Sequence, residues 1–199
     1  MSLPFGWQEL IPGCCPETDE QKMQFVLQLA EWNVRQQTGG PFAAAVFDRT
    51  GGELIAIGVN RVVPHSCSLA HAEAVAIALA QQSLRQYDLS SDPRRSFELV
   101  ASGQPCVQCF GVLWWSGITR LVIGARATDI ESLTGFCEGP LPERWTERLA
   151  HRDPLPPVEV MQDVCRDDAR RILRSYTDSG GTNYSPGLTT QAPAEKQQD

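Results

Sequence analysis

The feature that most constrains this chain is a pair of short motifs, His71-Ala72-Glu73 and Pro105-Cys106-Val107-Gln108-Cys109. Each falls where a strand or loop meets the start of a helix. Residues 70–86, rich in alanine and leucine, read as the first of those helices, with Ser68 as its cap. Cys106–Ser116 reads as the second. A helix N-terminus offers free N–H groups and the positive end of the dipole, which favours thiolate over thiol. Cys106 and Cys109 are three residues apart, so within one first turn both sulfurs can point the same way.

One histidine and two cysteines make three protein ligands for a metal. Structural zinc sites normally have four, whereas three leave a position for water, which is the catalytic arrangement. Zinc lowers the pKa of such a water to about 7. Glu73 lies two residues after His71 and need not touch the metal. It can take the water's proton and pass it to a ring nitrogen and a departing amine. The order H-x-E, then P-C-x-x-C, is the pattern of zinc deaminases that act on nucleobases. Each half alone is a weak signal. His71 could be a polar residue near a helix start, and the cysteines two small buried residues or half of another kind of site.

The remaining composition narrows the class. A chain of 199 residues suits one domain with short extensions. Its seven cysteines are an odd number, and Met1–Ile11 lacks the charged-then-apolar order of an export signal. Reduced thiols and a cytoplasmic protein are therefore expected. No run of 18 apolar residues appears, so no membrane span is expected. The net charge is −7 and the only lysines are Lys22 and Lys196. Without a basic stripe, a small-molecule substrate is expected rather than a nucleic acid.

Along the chain, residues 1–18 read as an irregular N-terminal extension, although Trp7 and Leu10 suggest that it packs somewhere. Thr18, followed three residues later by Gln21, reads as a capping box for a helix that ends at Gly39-Gly40. Ala43–Asp48 and Glu53–Asn60 read as strands joined by the turn Arg49-Thr50-Gly51-Gly52. Strands follow at Phe97–Ala101, Leu121–Ala125 and Val158–Met161, with helices at Glu143–Ala150 and Asp163–Tyr176. This order predicts a three-layer α/β domain over 19–178. Residues 179–199 read as a C-terminal tail, flexible over 185–199.

Together with Gly39-Gly40-Pro41-Phe42-Ala43-Ala44 and Gly58-Val59-Asn60, the two motifs make the chain resemble the cytidine deaminase-like zinc proteins. The resemblance covers roughly residues 19–176 and is strongest to the branch with guanine deaminases and tRNA adenosine deaminases. It implies a three-layer α/β/α fold with a central mixed five-stranded sheet, a zinc ion and a homodimer. Thr128-Asp129 and Gly135-Phe136-Cys137-Glu138 resemble a segment that follows the fourth strand in guanine deaminases. There a second acidic residue shuttles protons, and Glu138 aligns with it. The usual pattern has aspartate at both positions after the phenylalanine, where this chain has Cys137 and Glu138.

The same resemblance implies that Asn60 hydrogen-bonds the purine edge, that Phe42 and His71 bracket the ring, and that the Ala72 backbone meets its carbonyl. Trp115, six residues after Cys109, would line the pocket. Plainer roles stand beside these: core packing for Phe42 and Trp115, a strand-end cap for Asn60, a solvated loop carboxylate for Glu138. Cys137 as a fourth zinc ligand would close the site, and it is remote in sequence. A C-terminal lid is also implied, with Tyr176 and Tyr184 as its candidates. The activity implied is conversion of guanine to xanthine and ammonia, extending to an amino-triazine such as ammeline. The alternatives are a tRNA adenosine deaminase, a cytidine or deoxycytidylate deaminase, and an inactive zinc-stabilised binding module.

Overall fold

A computed structural model describes residues 2–13 and 15–188; Cys14 and the 189–199 part of the tail lie outside it. The first helix starts as its sequence dictates. The Thr18 hydroxyl accepts from the Gln21 N–H at 3.2 Å, and the Gln21 carboxamide accepts from the Thr18 N–H at 3.3 Å. Asp19 and Glu20 occupy the first turn of this helix, α1 (Asp19–Arg35), where the dipole favours negative charge.

Strands β1 (Ala43–Asp48) and β2 (Leu54–Val59) form an antiparallel hairpin, and β3 (Phe97–Gly103) adds antiparallel to β1. The parallel strands β4 (Arg120–Ala125) and β5 (Glu159–Met161) complete a mixed sheet in the order β2-β1-β3-β4-β5. Side chains of β1 alternate between the two faces. Ala43, Ala45 and Phe47 meet Met23, Val26 and Ala30 of α1, while Ala44 and Val46 meet α2 (Ala72–Leu84). Helix α6 (Arg166–Asp178) shares the α1 face, while α3 (Val107–Ser116) and α5 (Trp145–Ala150) share the α2 face. The expected three layers and five mixed strands are present.

Three expectations need correction. Helix α4 (Ala127–Thr134) follows β4 directly and had no place in the predicted order. Only Asp129 and Ile130 of its eight residues are buried, so it carries no apolar stripe. Ser68 does not cap α2; His71 occupies the N-cap position. The N-terminal extension is not irregular throughout, because Trp7–Leu10 forms a 3-10 turn. Leu3, Trp7 and Leu10 pack on the core around α1.

Helix α3, which carries the motif cysteines, is held at its far end by Arg152. This guanidinium is 4% exposed. It donates to the carbonyl oxygens of Trp114 at 2.6 Å and Ile118 at 3.4 Å, and to Pro156. A cation on the last carbonyls of a helix complements its dipole. Arg152→Met keeps much of the packing but leaves buried carbonyls unpaired. It is expected to lower the unfolding free energy in urea by about 2–4 kcal/mol.

Candidate active site

The start of α2 and the start of α3 meet at the ends of β2 and β3. His71 is the N-cap of α2 and Cys106 that of α3, both with extended backbone. His71 Nδ1 stands 3.4 Å from Cys106 Sγ and 3.6 Å from Cys109 Sγ. Among the described residues these three are the only metal-ligating cluster, with all ligand atoms within 4.8 Å of one another. Tetrahedral zinc with Zn–S of about 2.3 Å and Zn–N of about 2.0–2.1 Å requires ligand separations of about 3.6–3.8 Å. The two histidine–cysteine separations therefore fit a zinc ion with little adjustment. Cys137 is exposed and stands outside the cluster.

The two thiols are pushed in opposite directions: the hydrogen bond to Cys106, with burial, holds the Cys109 thiol well above its usual range. The hydrogen bond from Cys109, opposed by burial and aided by His71, draws the Cys106 thiol down to about 4. Glu73 lies in the first turn of α2 and is 8% exposed. Burial, with the Cys106 charge next, raises its carboxyl above the usual range. Burial pushes Glu138 up to about 8, reinforced by Cys106 and Glu73. The Glu138 backbone carbonyl accepts from the Val107 N–H at 2.9 Å, which ties its loop to the first turn of α3.

Beside the cluster lies a cavity of about 260 Å³. Phe42, Asn60, His71, Glu73, Cys106 and Glu138 line it, so six of the predicted site residues converge there. Ala72 lies between His71 and Glu73 in the turn that borders the cavity. Trp115 does not reach it. Six residues turn an α-helix through about 600°, which leaves Trp115 about 120° around from Cys109. Leu113 and Ser116, on the face of Cys109, are buried, while Trp115 is 75% exposed.

The sequence reading missed one member of the wall, Phe136. Phe136 and Tyr184 line the cavity with Phe42; the ring centroids are 5.7 Å apart for Phe42–Phe136 and 4.4 Å for Phe136–Tyr184. Phe136 was in view only as a landmark before Glu138, and its aromatic character was the available signal. Of the two lid candidates, Tyr184 faces the site. Tyr176 stacks behind Phe136 at 6.3 Å, and its hydroxyl donates to the Thr182 carbonyl at 2.9 Å.

The signature of the cytidine and deoxycytidylate deaminase zinc-binding region matches residues 16–125. The chain belongs to this family. It is a zinc-dependent hydrolytic deaminase, and among its described residues His71, Cys106 and Cys109 are the group that could hold the metal. Its structure is similar to that of guanine deaminase from Nitrosomonas europaea, 44% identical, with a TM-score of 0.81 over 89% of this chain and 94% of that one. It is also similar to NE0047 in complex with 2,6-diaminopurine, 45% identical, with a TM-score of 0.83 over 92% of this chain and 95% of that one. Guanine deaminase from Bacillus subtilis is 32% identical over 110 residues, covering 55% of this chain and 66% of that one. No helix among the described residues is long and apolar enough to cross a membrane.

Proposed function

We propose that this deaminase acts on a free base, converting guanine and water to xanthine and ammonia, with an amino-triazine such as ammeline as a second substrate. The observation that carries this reading is the cavity wall. Three aromatic rings, those of Phe42, Phe136 and Tyr184, suit a flat heterocycle, and Asn60, Glu73 and Glu138 supply a small set of polar groups. Guanine and 2,6-diaminopurine, the ligand in the similar NE0047 structure, share an amino group at C2. The cavity lies partly under residues Tyr184–Pro186, which leaves little room for a polynucleotide.

In this reading His71, Cys106 and Cys109 would hold the zinc, which would supply the acidification of a water molecule. Glu73 takes the water's proton and delivers it to the ring nitrogen. Glu138, buried and inclined to hold a proton, assists the departure of ammonia. Phe42 and His71 flank the ring, the Ala72 backbone meets its carbonyl, and Asn60 donates to an acceptor on its edge. The residues divide into a deaminase domain over 19–178 and a closing segment after it. The reduced thiols of the described residues suit a cytoplasmic protein.

The test is ammonia release by zinc-loaded protein with guanine, ammeline, adenosine, cytidine and a tRNA anticodon stem-loop side by side. Turnover of guanine far above the rest is the expected result. Turnover only of cytidine or the stem-loop would keep the deaminase class and refute the free-base assignment.

Two copies are proposed to pair through the outer face of α3. No charged residue lies between Val107 and Ser116, and Val107 and Trp115 are 47% and 75% exposed. Phe110, Val112 and Trp114 are only partly buried beside them. An uncharged aromatic face suits a self-complementary contact. Trp115→Glu is expected to give a monomer in sedimentation velocity, where the parent protein sediments as a dimer.

A further inference from the structure

A polar side chain in the middle of an apolar helix face calls for an explanation, and Asn33 is 0% exposed among Leu29, Ala30 and Val34 of α1. Its carboxamide is fully engaged. Nδ2 donates to the Gly40 carbonyl at 2.8 Å and to the Asn60 carbonyl at 3.0 Å. Oδ1 accepts from the Thr38 hydroxyl at 2.7 Å. One buried amide thus clips the glycine turn before β1 to the residue that follows β2. The clip is tight: a Cβ on Gly39 would lie 1.8 Å from the Asn60 carbonyl oxygen and 2.8 Å from Asn33 Nδ2.

The consequence reaches the cavity through Asn60. Its side-chain Oδ1 accepts from the Gly40 N–H at 3.4 Å and from the Val62 N–H at 3.3 Å. The carbonyl end of the Asn60 side chain is therefore committed to backbone. The side-chain hydrogen bonds of Asn60 among the described residues both run through Oδ1, and Asn60, 1% exposed, lines the cavity, which leaves its NH2 end for a ligand there. The two ends of a carboxamide are nearly equal in shape and opposite in hydrogen-bonding sense. Which end meets the substrate depends on where the Gly40 and Val62 N–H groups stand, and Asn33 holds both Gly40 and Asn60 by their carbonyl oxygens, on the far side of each Cα from its N–H.

We propose that Asn33 is a positioning residue that acts through Asn60: it fixes Asn60 as a donor toward the cavity and so selects rings that present an acceptor there. The proposal rests on the reading of this cavity as a base-binding site. A merely structural Asn33 would hold α1 to the glycine turn and affect every substrate contact alike.

The experiment is a double-mutant cycle on guanine kinetics with Asn33→Leu, Asn60→Ala and the double variant, with zinc content measured throughout. Asn33→Leu is expected to raise KM roughly tenfold or more with kcat changed less than about threefold, and to add less than about twofold in the Asn60→Ala background. Equal effects in both backgrounds would overturn the proposal, as would loss of zinc or of kcat with KM unchanged. Should Asn33→Leu fail to fold, Thr38→Val removes only the hydroxyl that anchors Asn33 Oδ1. It is then expected to raise KM more weakly and to lose that effect in the Asn60→Ala background, and additivity there would overturn the proposal. A parent protein inert toward guanine would refute the guanine reading by itself. The same cycle, run on the base from the panel that is turned over, would still decide the role of Asn33.

Discussion

Glu73→Gln is expected to lower guanine turnover by roughly 10²–10⁴-fold, the range of a positioned general acid–base, while the protein keeps its full complement of zinc. Glutamine has nearly the shape of glutamate and can still donate and accept hydrogen bonds. It cannot take a proton from water and return it to the ring. The metal should be unaffected, because the cluster consists of His71, Cys106 and Cys109 and does not include Glu73. Glu73 is sealed into the first turn of α2, where burial raises its carboxyl above the usual range. Ammonia release and metal analysis on the same preparation check this. Intact turnover with zinc present would show that the proton moves by another route, with Glu138 the next group to replace.

The parts of the site that were legible in the sequence are those whose chemistry is set within one turn of helix. His71-Ala72-Glu73 and Pro105-Cys106-Val107-Gln108-Cys109 each begin a helix, so their spacing alone places the candidate ligands and the candidate proton carrier. The strands of the sheet were legible from their apolar runs, even though β1 is buried over its whole length and shows no alternation in exposure. Helix α4 was not, because its eight residues bury only Asp129 and Ile130, and its N-cap is Arg126 rather than a small polar residue.

Trp115 shows a different limit. Its placement rested on distance from Cys109 along the chain, and a helix decides facing by angle rather than by count. The role of Asn33 was hidden for a third reason. Its partners Gly40 and Asn60 are 7 and 27 residues away, and only the folded hairpin brings them to one amide. The choice between Tyr176 and Tyr184 likewise depended on the path of a segment with no periodicity of its own.

That path makes Tyr184→Ala the second large effect. After α6 the chain is sewn back across the cavity by side chains that sequence periodicity does not mark. Asn183 Nδ2 donates to the Gly135 carbonyl at 2.8 Å, the Ser185 N–H donates to Asn183 Oδ1 at 2.9 Å, and the Cys137 N–H donates to the Ser185 hydroxyl at 3.2 Å. These bonds press the Tyr184 ring against Phe136 and bring it 6.4 Å, edge-on, from His71. On the other side there is no room to spare, since a Cβ on Gly40 would lie 2.9 Å from the Tyr184 ring and hydroxyl. An aromatic face against a base contributes about 1–3 kcal/mol, so Tyr184→Ala should raise KM for guanine by roughly 5–150-fold. Zinc content should not change, because no ligand moves. Tyr184→Phe keeps the ring and should stay within about threefold of the parent, since stacking uses the ring face rather than the hydroxyl. The alanine variant should also begin to turn over guanosine, because the ring that limits the cavity is gone. An unchanged KM in Tyr184→Ala would mean that the segment closes over the site without touching the base. The free-base preference would then have to come from Phe42, Asn60 and Phe136 alone.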